Sequence, residues 1–177
     1  MDTNNAHSPY AANAIPGTAE LDQLARYLAS PVESCELCST PGGDLLWADD
    51  FCRVVRVADA DYPGFCRVIL QRHVAEMTDL DADEQRRLMD AVFCVEGAMR
   101  KLFNPDKINL ASFGNVVPHL HWHIIPRWRD DRHFPQPVWG TPQRVASPAR
   151  PPVSNDRLGS EISARLSPDR QGRSEEK

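Results

Sequence analysis

The sequence predicts an α+β domain: an antiparallel sheet of about five strands covered by one long helix. Three observations carry this. Short β-rich runs are separated by turn-forming residues instead of helical stretches. A single long segment, from Asp81 to about Phe103, places apolar residues at helical spacing. No regular strand–helix alternation calls for a doubly wound parallel sheet.

The elements follow in order. Two strands are expected over residues 45–48 and 52–57, separated by the Asp49-Asp50 turn. Asp59-Ala60-Asp61-Tyr62-Pro63-Gly64 has loop composition and leads into a third strand over residues 65–70. Asp81, with Glu84 three residues on, makes a capping box that starts the long helix. Leu88, Val92, Val95, Met99 and Leu102 share its apolar face. Asn104-Pro105 ends it, because the residue before a proline is driven out of the α region. Residues 108–113 and 119–128 are the last two strands. Thr18 caps a short helix running through Ser30. Residues 1–17 and 141–177 are expected to be disordered, which leaves 18–140 as the domain. The C-terminal stretch carries only Val145, Val153, Leu158, Ile162 and Leu166 as large apolar residues, too few to offset its ordering entropy alone, and a short helix near residues 160–166 would be marginal by itself.

Composition narrows the function classes. The chain has 177 residues, 25 acidic against 20 basic, and a formal net charge of −5. Duplex nucleic acid as main ligand would need a basic surface, so it is excluded. No run approaches the ~20 apolar residues of a membrane span, and the N-terminus has no secretory pattern, so a cytoplasmic protein is expected. Five cysteines fit poorly with full disulfide pairing, and Cys52, Cys66 and Cys94 read as reduced core residues.

The informative segment is His119-Leu120-His121-Trp122-His123-Ile124-Ile125. Half of the six histidines fall here at period two. On a strand, that spacing puts three imidazoles on one face, about 6–7 Å between alternate residues, with Leu120, Trp122 and Ile124 facing the core. Neighbouring imidazoles disfavour one another's protonation, so neutral rings dominate near pH 7. Three readings follow: a histidine-rich exposed face, a metal site built on His-x-His, or a nucleophilic histidine attacking phosphorus, flanked by histidines that bind and protonate phosphate oxygens.

His-φ-His-φ-His-φ-φ, where φ is apolar, resembles the signature of the histidine-triad superfamily of nucleotidyl hydrolases and transferases. The resemblance covers residues 35–140, about three-fifths of the chain. It is strongest over Asn109-Leu110-Ala111-Ser112-Phe113-Gly114-Asn115-Val116-Val117-Pro118 and the triad. With Pro126-Arg127-Trp128-Arg129-Asp130-Asp131 and Pro137-Val138-Trp139, it looks like the bacterial diadenosine tetraphosphate hydrolase-like branch. The resemblance implies a homodimer with a nucleotide substrate. His121 would be the nucleophile that forms a nucleotidyl-histidine intermediate. His123 would contact phosphate and move protons, and His119 would orient the site. Gly114-Asn115 stands where relatives often have Gly-Gln, so Asn115 would hydrogen-bond a phosphate oxygen, though its type also suits a plain turn residue. Asn109 is a further candidate in that environment. Asp59 stands where relatives place an acidic residue on the ribose, and reads equally as a loop carboxylate. Val116 replaces the Ser or Thr hydroxyl that many relatives aim at phosphate.

A second constellation is Cys35-Glu36-Leu37-Cys38. Cys-x-x-Cys serves as a metal bite, a redox dithiol or a pair of plain thiols, and no thioredoxin-like βαβ pattern follows it. Some bacterial histidine-triad proteins bind structural zinc, and the resemblance maps that site onto Cys35, Cys38, His73 and His119. These are four ligands of the right type for a closed tetrahedral site. His7 and His133 are expected to face solvent. The chain thus reads as a nucleotide hydrolase acting at an α-phosphorus. The alternative is a non-catalytic nucleotide-binding or scaffold module with the same fold.

Overall fold

The computed structural model describes residues 34–167, so the helix expected over residues 18–30 lies outside them. Five strands form one sheet: β1 (Asp44–Ala48), β2 (Cys52–Arg56), β3 (Cys66–Leu70), β4 (Lys107–Ala111) and β5 (His121–Arg127). Their order is β1-β2-β3-β5-β4 and every pairing is antiparallel, as the α+β expectation requires. A four-residue helix α1 (Glu36–Ser39) precedes the sheet, and the long helix α2 (Ala82–Phe103) joins β3 to β4.

Helix α2 starts where its local signals put it. The Asp81 carboxylate accepts from the backbone N–H groups of Asp83 and Glu84, and Glu84 reaches back to the Asp81 N–H. Asn104 closes it in the left-handed conformation, φ 45°. Its buried stripe includes Leu88, Val92, Val95 and Met99. These side chains pack on Val54, Val68, Leu70 and Ile124, which alternate along β2, β3 and β5 on one side of the sheet. On the other side Cys35 and Leu37 of the α1 segment cover Val55 and Ile69, and the site lies beside them.

The C-terminal stretch departs from the expected disordered tail, and the domain does not stop at residue 140. Residues Asn155–Leu166 form helix α3, started by Ser154, whose side chain accepts from the Arg157 N–H. Val153, Leu158 and Ile162 are buried in the same core as α2 and the sheet. The physical reason is that a surface already assembled from α2 and β1 lets a few apolar groups complete burial that they could not achieve alone. Close approach sets one further requirement. A Cβ on Gly159 would lie 2.9 Å from the Leu46 carbonyl oxygen, so only glycine lets α3 sit on β1. The Arg56 guanidinium pins the helix entrance through the Val153 carbonyl (2.7 Å) and Asn155 Oδ1 (2.9 Å).

The first triad histidine also departs from expectation, because β5 begins at His121 and not at His119. The His119 N–H turns back to the Val117 carbonyl, and Leu120 bonds to Val74 and Leu70. His119 is therefore off the ladder, and its ring is directed elsewhere.

Candidate functional site

Strand β5 sits between β3 and β4, and its register sets the site. His121 pairs with Ile69, and His123 pairs with Arg67 on one side and Ala111 on the other. Both imidazoles therefore leave the sheet on the face away from α2. The His121 Nδ1–H donates to the His119 carbonyl oxygen at 2.6 Å, which fixes the tautomer and leaves Nε2 with its lone pair. That Nε2 lies 3.1 Å from His123 Nε2, so the His123 N–H is the donor between the rings. The two rings are 7% exposed. Burial lowers the affinity of His121 for a second proton. The His123 pKa is pushed down to about 3 by burial, then by His121 and Arg67. Both rings are neutral at pH 7.

These rings form the wall of a cleft of about 480 Å³. The opposite rim is the loop after β4, residues 112–118. Ser112 Oγ donates to the His121 carbonyl at 2.8 Å and ties this loop to β5. Gly114 takes φ 68°, a left-handed conformation that favours glycine, and turns the chain so that the exposed Asn115 lines the cleft. Val116 also lines it, 93% exposed.

His119 belongs to a second cluster. Its Nε2–H donates to the Leu70 carbonyl at 2.7 Å, leaving Nδ1 as the free lone pair. Nδ1 lies 3.5 Å from Cys35 Sγ and 3.4 Å from Cys38 Sγ, while His73 Nδ1 lies 3.3 Å from Cys38 Sγ. All four ligand atoms lie within 4.8 Å of one another. Zinc bonds of about 2.3 Å to sulfur and 2.0–2.1 Å to nitrogen, at tetrahedral angles, separate sulfur from nitrogen by about 3.6 Å. The donor set and spacing thus suit a closed tetrahedral metal site. Arg53 holds the α1 segment in place by donating to the carbonyls of Leu37 (2.5 Å), Pro41 (3.0 Å) and Thr40 (3.2 Å).

Two of the sequence-selected polar residues are engaged elsewhere. Asn109 Oδ1 accepts from Arg127 at 2.6 Å, and Arg127 makes a buried bidentate pair with Asp131 at 2.7 and 3.1 Å. Asp59 Oδ1 accepts from the backbone N–H groups of Asp61 and Tyr62, closing an Asx turn, and it does not line the cleft. His133 is buried and does not face solvent: its Nδ1 bonds to the Tyr62 hydroxyl at 2.5 Å. His7 lies outside the described residues.

Sequence reasoning assigns no site role to several cleft residues, among them Arg67, Phe113, Trp139 and the acidic Glu36. Arg67 faces His123 across the β3–β5 ladder. Phe113 and Trp139 meet edge-on, ring centroids 4.7 Å apart, and the Trp139 ring lies 5.2 Å from that of His123. The Arg127–Asp131 pair explains how Trp139 reaches the cleft. Arg127 also donates to the Gln136 carbonyl (2.8 Å), and Asp131 accepts from the N–H groups of His133 and Phe134, which fixes the segment leading to Trp139. An arginine inside the apolar run of a central strand was the available signal for Arg67.

Fold and site together define a histidine-triad domain: an antiparallel α+β unit with two neutral imidazoles on a central strand and a third at its head. The family model described as the HIT domain matches residues 42–130, and the chain belongs to that family. It is 36% identical over 74 residues to a bis(5'-nucleosyl)-tetraphosphatase (asymmetrical) of Schizosaccharomyces pombe, covering 39% of this chain and 41% of that protein. It is 30% identical over 78 residues to an AP-4-A phosphorylase of Mycobacterium tuberculosis, covering 41% and 40%. The chain thus spans about two-fifths of the length of these curated relatives. Among solved structures, a histidine triad protein from Bradyrhizobium japonicum matches with TM-score 0.53 and 33% identity, over 69% of this chain and 88% of that one. One from Marinobacter aquaeolei matches with TM-score 0.55 and 28% identity, over 77% and 93%. Among the described residues, no helix is long and apolar enough to cross a membrane.

Proposed function

We propose that the protein is a nucleotide hydrolase of the diadenosine tetraphosphate hydrolase-like branch. It would cleave at the α-phosphorus of a dinucleoside polyphosphate or related nucleotide conjugate through a nucleotidyl-His121 intermediate. The observation that carries this reading is the 2.6 Å bond from His121 Nδ1 to the His119 carbonyl, which leaves a buried, neutral Nε2 on the cleft wall. The names of the relatives, a tetraphosphatase and an AP-4-A phosphorylase, support the substrate class.

The steps follow from these atoms. The His121 Nε2 lone pair forms a bond to the α-phosphorus, and the bond from phosphorus to the bridging oxygen breaks, its electron pair leaving on that oxygen. The positive charge that develops on the His121 ring is stabilised through Nδ1–H by the His119 carbonyl. The His123 Nε2–H turns from His121 to a phosphate oxygen, and the Asn115 amide donates to the bridging or α-phosphate oxygen. Water then attacks phosphorus, the phosphorus–Nε2 bond breaks and Nε2 of His121 recovers its electron pair. The His123 Nε2 proton passes to the phosphate oxygen it bonds, His123 Nε2 takes the water proton in its place, and the phosphate releases its proton to solvent. Cys35, Cys38, His73 and His119 would hold a structural zinc ion, whose chemistry there is cross-linking, since four protein ligands leave no open position. The branch resemblance extends this reading to a cytoplasmic homodimer.

The test is rapid mixing with diadenosine tetraphosphate, adenosine phosphoramidate and a nucleotide sugar, followed by acid-free mass spectrometry. Wild type should show a nucleotidyl adduct on His121, and His121→Ala should lose at least about 10³-fold in kcat while keeping its fold. Retention of more than a few per cent of activity would remove His121 as nucleophile. Nucleotide binding without turnover by wild type would favour the non-catalytic module instead.

A further inference from the structure

Arg67 has no structural employment that accounts for its position. It projects from β3 on the face that carries His121 and His123, directly opposite His123, and it is the one cation among the described residues lining the cleft. Its guanidinium makes a single long bond, Nη1 to the Gly42 carbonyl at 3.4 Å, and its Nε is buried with no partner. No ion pair engages it among the described residues. The contrast with Arg53 on the same face is direct, because Arg53 spends its three nitrogens on three carbonyls and Gln71 Oε1. Arg127 is equally saturated by Asp131, Asn109 and Gln136. A buried donor left without an acceptor is costly, and the planar guanidinium fork is the side chain best matched to phosphate oxygens.

We propose that Arg67 clamps the leaving phosphate and so selects substrates whose leaving group is an anionic phosphate chain over those that release an amine. This rests on the hydrolase reading above. When the bond from the α-phosphorus to the bridging oxygen breaks, its electron pair adds negative charge to the departing phosphate, and a fixed cation stabilises that charge as it forms. An amine leaving group departs neutral after taking a proton and gains nothing from a neighbouring cation. The loop facing the imidazoles offers the Asn115 amide and the Val116 side chain but no second cation, so neutralisation of the leaving chain falls to Arg67.

The experiment compares wild type, Arg67→Gln and Arg67→Lys on diadenosine tetraphosphate and adenosine phosphoramidate, which share the adenylyl group and differ in what leaves. Arg67→Gln should lower kcat/KM for the tetraphosphate by about 10²-fold or more, the scale for one preorganised donor. The loss for the phosphoramidate should be at least tenfold smaller, and Arg67→Lys should recover part of the tetraphosphate activity. Equal losses on both substrates, or no loss on the tetraphosphate, would overturn the assignment. If wild type turns over neither substrate, the hydrolase reading fails, and titration with inorganic tripolyphosphate decides the anion site alone. Binding weakened tenfold or more in Arg67→Gln would uphold the clamp, and unchanged binding would overturn it. Circular dichroism of each variant excludes unfolding as the cause.

Discussion

His121 is tied to His119 by a 2.6 Å hydrogen bond from its ring Nδ1 to the His119 carbonyl oxygen, and the His119 ring lies within 3.5 Å of the thiols of Cys35 and Cys38. One residue thus belongs to both clusters: its side chain to the cysteine pair and its main chain to the proposed nucleophile. Whatever fixes the His119 ring also fixes the carbonyl that sets the His121 tautomer. This relationship is available because β5 starts at His121, which frees His119 to turn toward Leu70.

The coupling predicts the order of effects when the metal site is broken. Protein purified without an affinity tag should contain about one zinc per chain. Chelation, or Cys35→Ser, should lower the melting temperature first, by several degrees, since about 1 kcal/mol corresponds to roughly 2–4 °C in a chain of this size. Turnover should fall second, by about 10-fold, through loss of alignment. Elemental analysis and melts before and after chelation check both. Negligible metal with identical melts would reduce Cys35 and Cys38 to plain thiols. Folded metal-free protein that loses all turnover and regains it with zinc would point to a catalytic ion.

Helix α3 predicts a stability defect where composition alone suggests a dispensable tail. Ile162 and Leu158 are fully buried against α2 and the sheet. Ile162→Ala should cost about 2–5 kcal/mol, and truncation after residue 152 should cost more, because it also uncovers the α2 and β1 surfaces. Urea unfolding of the three proteins measures this directly. Equal midpoints would mean that α3 contributes nothing to the folded state.

What was legible in the sequence divides by the range of the interactions. The capping box of Asp81 and Glu84 and the stop at Asn104-Pro105 act within one turn, so α2 lies where the pattern puts it. The strands follow turn chemistry in the same way, and the period-two histidines correctly place His121 and His123 on one face. Gly114 and Asn115 were also legible, because a short turn presents them. Long-range pairing was not. Asn109 and Asp59 have the right polar character for a site, yet Arg127 and the backbone of Asp61 and Tyr62 claim them, 18 residues away in one case. The opposition of Arg67 and His123 depends on β3–β5 register, which no local pattern encodes. Likewise, α3 depends on surfaces that exist only once the rest has folded.

The depressed basicity of His123 makes a prediction about acid. Burial, His121 and Arg67 lower its pKa from 6.5 to about 3. Between those values the unfolded chain binds a proton that the folded chain refuses, so stability rises with pH across this window. The sign is therefore fixed. The contribution of a neutral His123 is fully present above its unfolded pKa and drains away as pH falls through 6.5 toward 3. Each unit of difference is worth 1.36 kcal/mol, so lowering the pH from 7.5 to 5.5 should cost wild type about 1 kcal/mol on account of this ring. His123→Gln removes the titration while keeping a polar side chain of similar reach. Urea melts of both proteins at pH 7.5 and pH 5.5 should show wild type losing about 1 kcal/mol more than the variant over that interval. Parallel losses would mean that His123 takes up its proton as readily folded as unfolded. The neutral imidazole pair on which the proposed attack depends would then not survive mild acid.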